Sequence, residues 1–126
     1  MATGLEDYVV PRPLDSTNAS ELLRYLGITV DVLHLDAGHT YGAVTNDLVR
    51  WWPSLRQGGL FVDDDYHVWS DTRRAIDDFL AKTSHKNFQA SVNKCAAFKI
   101  EAMRRLVVAG SISRYNAAAL GFGGPK

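Results

Sequence analysis

The chain has 126 residues, 46% of them hydrophobic, which is enough apolar material for the core of one domain. Fourteen basic and fourteen acidic side chains cancel, and no basic stripe is interleaved with aromatic residues, so we expect no nucleic-acid partner. No stretch approaches the roughly 20 apolar residues that span a bilayer, and the N-terminus lacks a signal-peptide pattern. A cytoplasmic protein with no membrane partner is therefore expected.

The first part of the chain predicts a strand, a helix and a second strand. "DYVVPRP", residues 7–13, is β-branched and closed by prolines, as is typical of a short strand. Asn18 and Glu21 have the spacing of a capping box, and Gly27 follows as a helix stop. "ITVDVLHLD", residues 28–36, is nearly continuous in apolar character, which indicates a strand covered on both faces inside a parallel sheet.

The alternation of helix and strand continues beyond this second strand. A helical pattern covers residues 43–56, with Pro53 in its last turn and Gly58-Gly59 as its terminator. "LFV", residues 60–62, predicts a third strand, and Ser70 can cap a third helix.

Two final strands, "FQASV" (88–92) and "CAAFKI" (95–100), predict an antiparallel hairpin. The order indicates an α/β fold with right-handed crossovers and three layers. We assign residues 1–100 to this domain and residues 101–126 to a C-terminal helix followed by a flexible tail.

Acidic residues follow two strands that should be neighbours. Asp36 ends the second strand, and Asp63, Asp64 and Asp65 end the third. Ligands of open α/β sheets bind beyond the carboxyl ends of the strands, so we expect Asp36, Asp64, Asp65 and His39 close together at one rim. Crowded carboxylates favour a bound cation, and oxygen ligands suit magnesium. Asp63 is expected to be a solvated acid.

The histidines and the single cysteine have competing interpretations. His39 is a candidate metal ligand or general base, or else a helix-capping turn residue; His67 is a second candidate base or an exposed loop residue. His34 lies within an apolar run and is expected to be packed and hydrogen-bonded. Trp69 follows the acidic loop and could wall a pocket, although core packing is the plainer reading. Cys95 is expected to be a small buried hydrophobe.

A family resemblance rests on "VDVLHLDAGHTYGAVTNDLVRWWPSLRQGGLFVDDDYHVWSDTRRAIDDFL", residues 30–80. This segment resembles class I S-adenosylmethionine-dependent methyltransferases, in particular the group of small-molecule and sugar O-methyltransferases with a "DxxH-Y" turn and a "GG-DDY" strand. The likeness extends over about residues 8–100 and implies part of a Rossmann-like sheet.

The resemblance also implies roles for individual residues. Asp15, Ser16 and Asp36 would contact S-adenosylmethionine, and magnesium, where a member uses it, would be held by Asp36, Asp64 and Asp65. His39 matches a histidine that ligates the metal or acts as the base.

The sequence departs from the family in ways that affect the expected fold. The glycine-rich cofactor turn and the first two strands have no counterpart, and Asp63 stands where glycine is common. In the family the first strand lies beside the fourth, so its absence would leave residues 28–36 with an unpaired edge. We therefore expect either a fragment of a longer enzyme or a reduced protein that pairs this edge with another chain, including a second copy.

The function implied by the resemblance is methyl transfer from S-adenosylmethionine to the hydroxyl of a small-molecule acceptor, by a truncated C-terminal half that need not be active alone. An alternative is a non-catalytic remnant that binds a partner. A metal-dependent hydrolase using the same acids is a third, weaker interpretation.

Overall fold

A computed structural model describes residues 4–101, 104–108 and 111–115 of the chain. Its elements in chain order are α1 (Ser16–Tyr25), β1 (Val30–Leu35), α2 (Tyr41–Trp51), a 3₁₀ turn (Trp52–Ser54), β2 (Leu55–Asp63), α3 (Ser70–Leu80), β3 (His85–Ala90), β4 (Cys95–Lys99), β5 (Arg104–Val108) and β6 (Ser111–Tyr115). Within these ranges, no helix has the length and apolar character that crossing a membrane requires.

Four strands form the main sheet, in the order β1-β2-β4-β3. β1 and β2 are parallel, with Leu33 beside Phe61 and Leu35 beside Asp63. β4 runs antiparallel to β2 and places Ala97 beside Phe61, and β3 completes the C-terminal hairpin. The predicted α/β fold with a closing antiparallel hairpin is confirmed, as is the prediction that the two acid-bearing strands are neighbours.

One face of this sheet carries the core. Leu33, Phe61 and Ala97 lie side by side on three adjacent strands and are buried. The helical layer covers them with side chains from α2, the 3₁₀ turn and α3, namely Val44, Leu48, Trp52, Ala75, Ile76 and Leu80. On the opposite face Val32 is 56% exposed. The described residues thus form two of the three expected layers.

Helix ends follow local capping chemistry. Asp15 caps α1 by accepting a hydrogen bond from the Asn18 backbone N–H at 3.0 Å, so the cap lies earlier than the predicted Asn18–Glu21 box. Gly27 ends this region at φ +66°, where a residue without Cβ is favoured. Thr40 caps α2 through the Ala43 N–H at 3.3 Å.

The predicted first strand is wrong. Residues 7–13 form no strand, and the side chains of Tyr8 and Val10 are 84% and 65% exposed. Strand-forming residues need a neighbour to pair with, and no strand of the described ranges lies next to β1 on its outer side. β1 is therefore an edge strand. It is also not covered on both faces, because Val32 and His34 on one face are about half exposed.

Two helix predictions also need correction. α2 ends at Trp51, because Pro53 is accommodated in a 3₁₀ turn, and Gly58-Gly59 lie inside β2. A Cβ on Gly59 would stand 2.5 Å from Leu55 Cδ1, so the glycine makes room for a core side chain.

The predicted C-terminal helix, residues 101–110, is wrong over Arg104–Val108, which forms a strand that pairs with Ser111–Tyr115 of the predicted tail. "RRLVV" ends in β-branched residues that favour strand over helix. Most of the predicted tail, residues 116–126, lies outside the described residues.

Candidate functional site

A tight turn links β1 to α2 and presents His39. The strand ends at Leu35, and α2 begins at Tyr41. A Cβ on Gly38 would come within 2.7 Å of the Ala43 Cβ, so the turn can fold back against the first turn of α2 only with glycine at this position. This close approach places His39 beside the end of β2.

Three contacts from outside the turn hold His39. Its Nδ1 lies 3.3 Å from Asp65 Oδ2, just after β2. Its ring stacks on Trp69, with centroids 5.1 Å apart and planes 15° from parallel. The Thr72 hydroxyl donates to the His39 carbonyl at 3.4 Å. The side chain remains 40% exposed, so an orientated imidazole faces solvent at the rim of the sheet.

A small cavity of about 10 Å³ lies beneath this imidazole, room for about one water molecule. Its polar lining comes from both strand ends and from α2, and includes Asp36, His39, Asp47, Asp63 and Asp65. The cavity is too small for an organic substrate. A substrate that reaches His39 must therefore bind above the cavity, on the exposed side of the imidazole.

Asp47 is a site residue that the sequence analysis missed. It is 7% exposed and accepts a hydrogen bond from the Ser16 hydroxyl at 2.6 Å. The Ser16 oxygen in turn accepts from the Trp51 indole N–H at 2.8 Å. The available signal was an acid on the apolar stripe of α2, between Val44 and Leu48, where burial requires a hydrogen-bond partner.

Asp63 is buried, contrary to the prediction of a solvated acid. Strand alternation places it on the same covered face as Phe61, and it is 5% exposed. Burial raises the pKa of its carboxyl, opposed by a 2.8 Å hydrogen bond from the Asp65 backbone N–H and reinforced by repulsion from nearby Asp65, Asp64 and Asp36.

Asp64 points to the opposite face, so the predicted single rim of four residues is wrong. Its carboxylate accepts from Lys94 Nζ at 2.7 Å and lies 3.4 Å from His34 Nε2. The hydrogen bond from Lys94 holds the pKa of Asp64 below its usual value. His34 is 48% exposed and not packed, because it lies on the open face of the edge strand.

The predicted magnesium site is not formed by these residues. Throughout the described ranges, no three or more His, Cys, Asp or Glu side chains converge in a way that could hold a metal ion. Asp36 and Asp65 line the same cavity, while Asp64 is turned away from it. Successive side chains of a strand face opposite sides of the sheet. This alternation explains why Asp64 faces away from the side on which Asp63 is buried.

The remaining predicted residues lie away from His39 or are engaged elsewhere. His67 is exposed, packs edge-on against Tyr66 at 4.7 Å and does not line the cavity, so the structure does not place a second base there. Asp15 is exposed and caps α1. Cys95 is buried, and burial raises the pKa of its thiol to about 12, which confirms it as a small hydrophobe.

Comparison with known proteins gives the family of the chain. A family model described as a methyltransferase domain matches residues 2–66, just over half of the sequence. The chain therefore belongs to the methyltransferase domain family. This matched region contains α1, β1, α2 and β2, and ends at Tyr66.

A solved structure, that of the O-methyltransferase NovP, is 22% identical with a TM-score of 0.49; the match covers 58% of this chain and 31% of that one. The chain thus spans about a third of the length of that protein. A search of curated proteins finds no match.

Proposed function

We propose that the chain carries the acceptor-activating part of an S-adenosylmethionine-dependent O-methyltransferase, and that His39 is its general base toward a small-molecule hydroxyl. Membership of the methyltransferase family supports the reaction class. The observation that carries the assignment of His39 is its fixed geometry between Asp65 and Trp69, with the ring still open to solvent.

The contacts of His39 suit proton acceptance at one ring nitrogen. A carboxylate beside Nδ1 favours the tautomer with the proton on Nδ1, which leaves the lone pair of Nε2 available. Stacking on Trp69 limits rotation of the ring. The acceptor hydroxyl would then give its proton to Nε2 as its oxygen becomes the nucleophile, and positioned bases of this kind contribute about 10²–10⁴-fold in rate.

The cofactor requires a separate test, because the described residues do not make a complete site for it. When bound, S-adenosylmethionine supplies an electrophilic methyl group on a sulfonium. Of the residues predicted to contact it, Asp15 caps a helix and Ser16 is bonded to Asp47 and Trp51, which leaves Asp36 at the cavity. The family's glycine-rich cofactor turn also has no counterpart among the described residues. Use of this cofactor is therefore inferred from the family alone.

The deciding experiment measures methyl transfer from methyl-labelled S-adenosylmethionine to a panel of phenols and sugars, together with calorimetric titration of the cofactor. We expect labelled product and heat of binding. If the folded chain gives neither product nor heat at high cofactor concentration, the catalytic proposal is wrong for this chain.

A second candidate function is that of a non-catalytic, partner-binding module. It is favoured by the unpaired outer edge of β1, where Val32 is 56% exposed. The same experiment separates the two functions, because a binding module transfers no methyl group while its association remains measurable.

A further inference from the structure

The outer edge of β1 offers backbone groups for pairing. Within the described ranges, β1 pairs only with β2, so the N–H and C=O groups on its other side have no strand partner. Val32 on this strand is 56% exposed, and the only polar side chains along it are those of Asp31 and His34. Long exposed edges of this kind are templates for strand addition.

The same chain contains a strand-forming segment without a strand partner. Tyr8, Val9 and Val10 are 84%, 56% and 65% exposed, although aromatic and β-branched residues favour paired strands. The backbone N–H groups of Tyr8 and Val9 both donate to the Leu5 carbonyl at 2.9 Å, which makes a turn and not a ladder. The segment is therefore accessible and unpaired.

We propose that Tyr8–Val10 of one copy adds to the β1 edge of a second copy, in a reciprocal exchange that makes a two-fold dimer. Among the described residues, each copy has this unpaired segment and the open outer edge of β1, and the single chain does not pair the two. In a reciprocal exchange each copy donates its segment and receives the segment of the other, so both β1 edges are paired and the assembly is a closed dimer. The inference concerns assembly and holds whether or not the chain transfers methyl groups.

The residues around the segment are compatible in charge with the receiving edge and limit the assembly to two copies. Arg12, just beyond the segment, is basic, while Asp31 on the receiving edge is acidic and 79% exposed, although Asp31 already pairs with Arg56 of β2. Pro11 and Pro13 have no backbone N–H, so the added strand stays short and offers a poor edge to a further copy.

The test compares two exposed valines by light scattering coupled to size-exclusion chromatography over a wide concentration range. The wild-type chain, of 13.9 kDa, is expected to run at twice that mass. Val10→Asp places a charge in the proposed strand pair and should raise the dimer dissociation constant about tenfold or more. Val92→Asp is the matched control, since Val92 is 86% exposed in the β3–β4 turn, and it should leave the dimer intact.

A change on the receiving side completes the test. Val32→Asp should weaken the dimer as Val10→Asp does, and hydrogen exchange of the Tyr8–Val10 amides should slow as the concentration of wild-type chain rises. A chain that stays monomeric at every concentration overturns the proposal. So does a dimer that Val10→Asp weakens no more than Val92→Asp, because that dimer must use another surface.

Discussion

Two histidine–aspartate pairs lie at the same end of the sheet with nearly equal separations, but on opposite faces and with different neighbours. His39 and Asp65 approach to 3.3 Å, and His34 and Asp64 to 3.4 Å. The first pair lies on the covered side, with the imidazole stacked on Trp69 above a polar cavity. The second lies on the open face, where Asp64 is shared with a lysine.

The comparison shows that surroundings, and not separation, distinguish a candidate base from a surface ion pair. An exposed pair gains little because water solvates both charges and the side chains lose conformational entropy when they are held together. An imidazole held by stacking on Trp69 and by Asp65, on a backbone whose carbonyl accepts from the Thr72 hydroxyl, has already lost that freedom before a substrate arrives. His34 therefore provides an internal control for every test of His39.

The largest difference is expected between the two histidine variants. His39→Gln should lower the rate of methyl transfer by about 100-fold or more, because the proton acceptor is lost. His34→Gln should leave the rate nearly unchanged, since its ring faces away from the cavity. Radiometric assay of both variants measures the effect, and circular dichroism checks that both fold. Equal losses of rate in the two variants would show that His39 is not the general base.

A smaller difference is expected between the two carboxylates. Asp65→Asn should lower kcat by about tenfold with little change in KM, because the imidazole keeps its place but loses the group that favours its reactive tautomer. Asp64→Asn should be close to wild type. An Asp65→Asn variant in which only KM changes would indicate a substrate contact and not a positioning role.

The order of helices and strands could be predicted from the sequence because most of these elements have local sequence signals of their own. Helical periodicity, strand-like apolar runs and acids at the strand ends gave the parallel β1–β2 pair and the closing hairpin. The failures occurred where a neighbour decides the outcome. Residues 7–13 have strand composition but no strand to pair with, and "RRLVV" pairs with Ser111–Tyr115 and does not form a helix.

The candidate site could be predicted only in part, because here too the tertiary structure decides where some side chains lie. The sequence identified Asp36, His39 and Asp65 as residues at the carboxyl ends of two neighbouring strands, and the structure places all three around one cavity. It could not identify the face to which each acid of the Asp63–Asp65 run points, because the register of β2 fixes that. Asp47 was missed because its burial depends on a hydrogen bond from a different helix.

The buried acid beneath His39 gives a stability prediction with a definite sign. Burial raises the pKa of Asp63. The contribution of this carboxyl to stability is therefore greatest at a pH below its ordinary pKa of 3.8, and it is lost as pH rises through the folded-state pKa. Asp63→Asn keeps an acceptor for the Asp65 N–H and should raise Tm by a few degrees at neutral pH. Thermal unfolding should show this gain shrinking as pH falls toward 3.8. A variant less stable than wild type at neutral pH would mean that the charge itself is needed there.

The smallest effect is expected on the open face. The hydrogen bond from Lys94 lowers the pKa of Asp64. The contribution of this carboxylate to stability is therefore present at a pH above its ordinary pKa of 3.8, and it is lost as pH falls through the folded-state pKa. The side chains are 61% and 35% exposed, and solvent screens the pair, so Lys94→Gln should leave Tm at neutral pH almost unchanged. Added salt should likewise change the difference in Tm between wild type and this variant only a little. A drop of several degrees in this variant would show that the open face stabilises the fold as strongly as the covered face, and the contrast between the two histidine–aspartate pairs would then no longer follow from burial.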